Sequence, residues 1–265
     1  MSDKLPSASP TSANASPRGT LTDVLTKLVH GSAPFISTFL LIHLSASALA
    51  SLGGSSLSSQ VMVSTSNPSE FLRPITCIQI LGREYYQTSF GETYLLYTPL
   101  MIHSTSGLAK RLLAPRTARK LSSLFALAGY SSMFFLLPIH YLAHREYPAD
   151  PSPPIYSFGP SELDFEYVKY GLQAWPWRSW LLYTGLVAAV AWHATEGMQI
   201  IWNTYFREKL GGWRSTSKSH LLNAAVIVVP VLAGIFVMAR EPSFASSSFI
   251  PRYEAALRQC WVYRV

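Results

Sequence analysis

Charged side chains are scarce in this chain. Asp, Glu, Lys and Arg make up 13% of its 265 residues, where a soluble domain usually has about 25%. Together with 49% hydrophobic residues, that points to a membrane class and away from a soluble catalytic domain. Cysteine is scarcer still: Cys77 and Cys260 are too few for a disulfide framework or a zinc site. The sequence has no glycine-rich phosphate loop, no zinc-type Cys/His spacing and no nucleophile elbow, so an enzyme is not expected. A net charge of +7 would suit nucleic acid if it formed a stripe on a soluble face. The basic residues instead flank apolar segments, so no nucleic-acid partner is expected.

What the chain has in quantity is uncharged apolar sequence, and helices of about 20 such residues cross a bilayer. Five candidates occur, at about 31–52, 93–113, 121–143, 179–206 and 221–239. The fold class expected is all-α: a polytopic membrane protein with five transmembrane helices, an internal two-helix repeat and a fifth helix, spanning 31–239. Between the second and third segments lie Lys110, Arg111, Arg116, Arg119 and Lys120, with no acid; Arg207, Lys209, Arg214 and Lys218 follow the fourth, against Glu208. The loop from His144 to Arg178 carries five acids and three bases. This alternation predicts five crossings with the N-terminus on the positive, cytosolic side. Tyr85, Tyr86, Tyr94, Trp175, Trp177 and Trp180 read as interface anchors, and His30, His144 and His220, at segment ends, as interfacial.

Residues 1–19 are Ser/Pro-rich without apolar bulk and are expected to be disordered. Residues 20–30 place Leu21, Val24, Leu25, Leu28 and Val29 on one helical face. They read equally as an amphipathic surface helix or as the first turns of the first crossing. The 144–178 loop is long enough to be functional, with a small helical element expected from Ser161. Residues 240–265 read as an interfacial tail.

The polar residues inside the apolar runs repeat. LLYT occurs at Leu95–Thr98 and Leu181–Thr184, followed by HSTSG at His103–Gly107 and HATEG at His193–Gly197. Before each, an apolar run ends on histidine: FLLIH at His43 and FFLLPIH at His140. Positions i and i+4 share a helix face, so Gly107 and Gly197 leave room beside His103 and His193 for a flat macrocycle or another backbone. Imidazole is an axial ligand for haem iron, and cofactor sites in bundles are built from facing helices. The best pair is His103 with His193, as axial ligands of a haem iron; His43 with His140 is the second. Polar packing across helices and a proton or ion path remain open alternatives. Pro99, Pro138 and Pro230 are expected to kink their helices, and Glu196 is assigned no chemistry.

The stretch LGREYYQTSFGETYLLYTPLMIHSTSGLAKRLL, Leu81–Leu113, with the second His-bearing pair of helices after it, resembles the fungal mitochondrial adaptor proteins. The likeness runs from about Pro34 to the C-terminus. It implies a non-enzymatic five-helix protein of the mitochondrial outer membrane. Such proteins compensate for loss of the tether between endoplasmic reticulum and mitochondria. They support lipid homeostasis at a membrane contact site and recruit a bridge-like lipid-transfer protein. That family is thought to recruit its partner through a Pro-x-Pro motif in the N-terminal tail. Here the tail has Pro6, Pro10 and Pro17 without that spacing, and Pro151-Ser-Pro153 lies in the opposite loop. More distantly, His103–Gly107 resembles the haem-ligating helix of succinate dehydrogenase and fumarate reductase cytochrome b anchors. That likeness implies haem b, one or two per chain, on His43, His103, His140 and His193, with Arg73 or Arg83 as propionate partners. It also raises the alternative of a redox anchor passing electrons to quinone; a lipid transporter is a third reading.

Overall fold

The computed structural model describes residues 17–63, 86, 88–115, 123–159, 162–210 and 217–264. The expected disordered tail falls outside them up to residue 16, as do Arg73, Cys77, Arg83 and Tyr85.

The described residues are helical almost throughout. Helix α1 runs Pro17–Val63, and its non-helical break falls at Gly53 and Gly54. Helix α2 opens with a π-helical turn at Gly91–Tyr97 and continues as Thr98–Leu113. Helix α3 covers Leu124–Ala149, α4 Phe165–Ala174, α5 Pro176–Tyr205, α6 Arg207–Leu210, α7 Ser217–Arg240 and α8 Phe249–Gln259. Of the two readings of residues 20–30, the structure has them as the first turns of α1. The helix continues through Pro34 because a residue with fixed helical φ needs only one lost hydrogen bond to be tolerated.

Three helices are long and apolar enough to cross a bilayer: Gly19–Ser55, Leu124–Ala149 and Ser219–Arg240. They turn apolar side chains outward, with Leu41 71%, Phe135 65% and Val226 68% exposed, as lipid-facing surfaces do. The chain is therefore a membrane protein. Helices α2 and α5 are as long, but their histidines, hydroxyls and charged ends lower their apolarity.

Proline shapes the irregular stretches. Three π-helical turns, at Gly91–Tyr97, Ser132–Leu136 and Leu142–Glu146, each end two residues before a proline: Pro99, Pro138 and Pro148. A proline ring clashes with the carbonyl one turn back and supplies no N–H. Widening that turn relieves both problems, which is where π-bulges arise. His103 and His140 follow such turns closely.

Helix α1 packs on α2 and α7, and α5 packs on α7 and α3. The order of neighbours is thus α2, α1, α7, α5, α3. Long side chains span the remaining edge, between α2 and α3. Arg145 donates two hydrogen bonds to Glu92, at 2.7 and 2.8 Å, the rings of Tyr97 and Tyr141 meet at 5.9 Å, and Arg111 lies over Tyr130. Helices α1 and α7 approach most closely at Gly234. A Cβ there would lie 1.7 Å from the Ser47 carbonyl oxygen.

One end of the bundle carries a folded cap, made of residues 147–159 and 162–175 and of α8. Ile155, Phe158, Tyr167, Tyr253, Leu257 and Tyr263 form its core, each large side chain contributing about 1.5–3 kcal/mol on burial. The C-terminal stretch thus spends its apolar face on protein. Arg252 donates to the Ile155 carbonyl at 2.8 Å and lies 4.1 Å over the Phe158 ring, so the Pro151–Pro153 segment belongs to this folded cap. Of the tryptophans read as anchors, Trp177 alone is fully outward, at 87% exposed. Trp175 turns in against Tyr263 and Trp180 against Phe236, because cap and neighbouring helix offer them apolar partners. Tyr86 packs on Phe39, while Tyr94 is exposed.

A buried lysine joins cap to bundle. Lys169 has no exposed surface; its ammonium donates to Glu166 at 2.6 Å and lies 3.5 Å from Glu241. Glu241 in turn accepts from the Ser55 amide at 2.9 Å and from the Ser55 hydroxyl, gripping the break in α1. Gly54 has φ +70°, and a Cβ there would collide with the Glu241 carboxylate, so the left-handed turn and the close approach both call for glycine. Burial works against ionisation of Glu166, but Lys169, Ser243 and the Phe244 amide outweigh it and hold its carboxyl below the usual range. Glu241 follows the same balance: burial opposes, and Ser55 and Lys169 prevail.

Candidate functional site

Four of the expected site residues meet as two pairs, each crossing the bundle. His103 on α2 faces His193 on α5, with ring centroids 6.1 Å apart and planes at 88°. His43 on α1 faces His140 on α3, at 6.0 Å and 81°. The two layers lie about 20 Å apart, taking 1.5 Å per residue along the helices.

The first pair is held by its neighbours. His103 Nδ1 lies 3.1 Å from the Val29 carbonyl and 3.3 Å from the Ser32 hydroxyl. Ser32 gives its own proton to Leu28 at 2.8 Å, so it can accept from the ring. His193 Nδ1 lies 3.3 Å from the Phe125 carbonyl, and its ring stacks on Phe125 at 4.4 Å. A carbonyl only accepts, so both rings carry their proton on Nδ1 and their lone pair on Nε2.

The second pair is held by rings. His43 stacks on Phe39 at 5.2 Å. His140 lies 4.6 Å from His144, whose Nε2 is 3.0 Å from the Tyr183 hydroxyl. His144 was expected at the interface. The structure places it one turn beyond His140 on the same face, under Tyr167, because the cap closes over this end of α3. His30 lies inside α1, half-buried, with its Nδ1 3.2 Å from the hydroxyl of Tyr205 at the end of α5. His220 faces Trp192.

The glycines divide differently from expectation. A Cβ on Gly107 would meet nothing within 4 Å, and one on Gly197 only the Phe125 ring edge at 3.9 Å. The glycine that touches an imidazole is Gly129 on α3, where a Cβ would stand 2.9 Å from Cε1 and Nδ1 of His193. Sequence reading passed over Gly129. Its signal was a glycine inside an apolar helical run, which costs about 1 kcal/mol against alanine and so asks for a packing reason.

The donor set fits a haem iron. Two imidazoles binding one metal at about 2 Å per bond stand about 6 Å apart between ring centres, the spacing of both pairs. Ligating histidines characteristically donate their other N–H to a carbonyl, as His103 and His193 do. Two buried polar atoms on the flanking helices, Ser132 Oγ and Trp192 Nε1, lack a partner among the described residues, an uncommon state for buried donors. Among those same residues, no cluster of three or more His, Cys, Asp or Glu is arranged to hold a metal by itself; each pair offers two imidazoles. Haem, which supplies its own four equatorial nitrogens, needs no more.

No curated protein and no solved structure matches the chain, and the likeness to succinate dehydrogenase and fumarate reductase anchors finds no support. Residues 135–241, from α3 to the end of α7, including His140 and His193, are similar to the family described as the MDM10-complementing protein 1 transmembrane domain.

Proposed function

We propose that the chain is a non-enzymatic adaptor of the mitochondrial outer membrane, crossing it five times and holding haem b between its histidine pairs. The observation that carries the reading is the meeting of His103 with His193 and of His43 with His140 inside a membrane bundle. Polar rings in that setting are costly and mark function. The similarity to the MDM10-complementing family over α3–α7 supports the adaptor role and the mitochondrial location.

His103 and His193 would hold one haem through Nε2, and His43 and His140 a second. Bound there, haem would supply a one-electron couple. Val29 and Phe125 fix the tautomer of the first pair, and Gly129 leaves the His193 ring its place. The lipid-facing surfaces of α1, α3 and α7 keep the site in a water-poor medium. This chain's own residues would hold and orient the group.

As an adaptor, the chain supports lipid homeostasis at a contact site and recruits a bridge-like lipid-transfer protein. The basic end of α2, with Lys110 and Arg111, and the basic helix α6, with Arg207 and Lys209, would face the cytosol together with the N-terminus, and the cap would face the intermembrane space. The experiment is isolation of the tagged chain from mitochondria in mild detergent. A lipid-transfer protein is the expected companion. Flavoprotein and iron–sulfur subunits of a dehydrogenase in its place would overturn the reading in favour of a redox anchor.

A further inference from the structure

We infer that α1 and α3 build a positioning shell around His103 and His193, through Val29 and Ser32 on one side and Phe125 and Gly129 on the other, making this pair the tighter of two haem sites. The inference rests on the haem reading above and adds which pair fills first and which residues decide it.

The two pairs have nearly the same ring separation, so separation does not distinguish them. Their surroundings do. Both rings of the first pair have Nδ1 anchored: His103 to the Val29 carbonyl and the Ser32 hydroxyl, His193 to the Phe125 carbonyl. Each anchor selects one tautomer and one ring rotation, so less freedom is lost when Nε2 takes a ligand. An anchored Nδ1–H also makes the opposite nitrogen more basic. For His43 and His140, no hydrogen bond to either ring is found among the described residues. Their contacts are stacking on Phe39 and a tilted approach to His144, which hold a ring plane without choosing which nitrogen faces its partner.

Gly129 sets the last degree of freedom. It lies four residues after Phe125, on the same face of α3, so the residue that stacks on the His193 ring and the residue that yields space to it are consecutive turns of one helix. Any side chain at 129 enters the volume of Cε1 and Nδ1. It must displace the imidazole from the place it holds against the Phe125 carbonyl. Ser32 does the corresponding work on α1, where its hydroxyl spends its proton on the helix backbone and keeps a lone pair for His103.

The test is a titration of haemin into the full-length protein, purified in detergent from cells grown without haem supply and followed by its absorption spectrum. Wild type is expected to take up a first equivalent as a low-spin, two-histidine species and a second more weakly. His43→Ala and His140→Ala should leave the first equivalent unchanged. Ser32→Ala should weaken it about 10-fold, the usual cost of a lost outer-shell partner, and Gly129→Ala by at least about as much. Retention of the second equivalent in Gly129→Ala shows that the bundle is folded. Loss of the first equivalent in His43→Ala, with its survival in Gly129→Ala, would overturn the inference and leave the haem reading standing. Equal affinities for the two equivalents would do the same. A wild-type protein that takes up no two-histidine haem at all overturns both.

Discussion

His103 and His193 stand on different helices and meet with ring planes 88° apart, each proton-bearing nitrogen turned back to a backbone carbonyl. Each ring is aimed by a neighbouring helix. That arrangement, in a bundle with lipid-facing walls, is the basis for reading the pair as a ligand site.

The near-perpendicular planes have a spectroscopic consequence. Imidazole planes crossing at right angles leave two iron d-orbitals nearly equal in energy, which makes the ferric low-spin signal strongly anisotropic; parallel planes give a rhombic signal. Electron paramagnetic resonance of the oxidised protein is expected to give the anisotropic form for both pairs, since the second also stands at 81°. A rhombic signal would mean the rings rotate on binding.

Replacing Lys169 by Met should destabilise the junction of cap and bundle by about 1–3 kcal/mol, because it leaves two half-buried carboxylates without their cation. The thermal midpoint of the detergent-solubilised protein measures the loss. A second Glu166→Gln change should recover part of it, by removing the uncompensated charge.

Acid should loosen the same junction. The carboxyls of Glu166 and Glu241 are held below their ordinary range in the folded protein. Their contribution is therefore complete above the ordinary value of 4.5 and fades as pH falls through the lowered folded values. Limited proteolysis in the loop 151–157, measured against pH, should show the cap opening below that value, and Glu241→Gln should blunt the dependence.

Gly234→Ala should cost about 1–3 kcal/mol, the range for overpacking a close contact, because the added methyl would fall on the Ser47 carbonyl. A lowered thermal midpoint is expected. Lys27→Ala, at an exposed site on the first turns of α1, should leave the midpoint unchanged.

Much of this architecture was legible in the sequence because it is local. The long helices follow from apolar runs, and the histidine pairs from the repetition of LLYT and H-x-T-x-G. Pro99 and Pro138 announced irregular turns, although their π-helical form needed the backbone. What stayed hidden depends on distant partners. Gly129 matters only because His193 lies against it, and His144 leaves the interface only because Tyr167 and the rest of the cap fold over it. Lys169 reads as an ordinary loop lysine until Glu241 and the break at Gly54 stand beside it. Trp175 reads as a membrane anchor until Tyr263 covers it.

The most direct test of the haem site is the reduced-minus-oxidised absorption spectrum of the purified protein beside His103→Ala and His193→Ala, all grown with haem supplied. A low-spin b-type spectrum is expected in the wild type, and each substitution should remove the same component. A wild-type protein without that spectrum, or two substitutions that remove different components, would contradict the pairing of His103 with His193 on one haem.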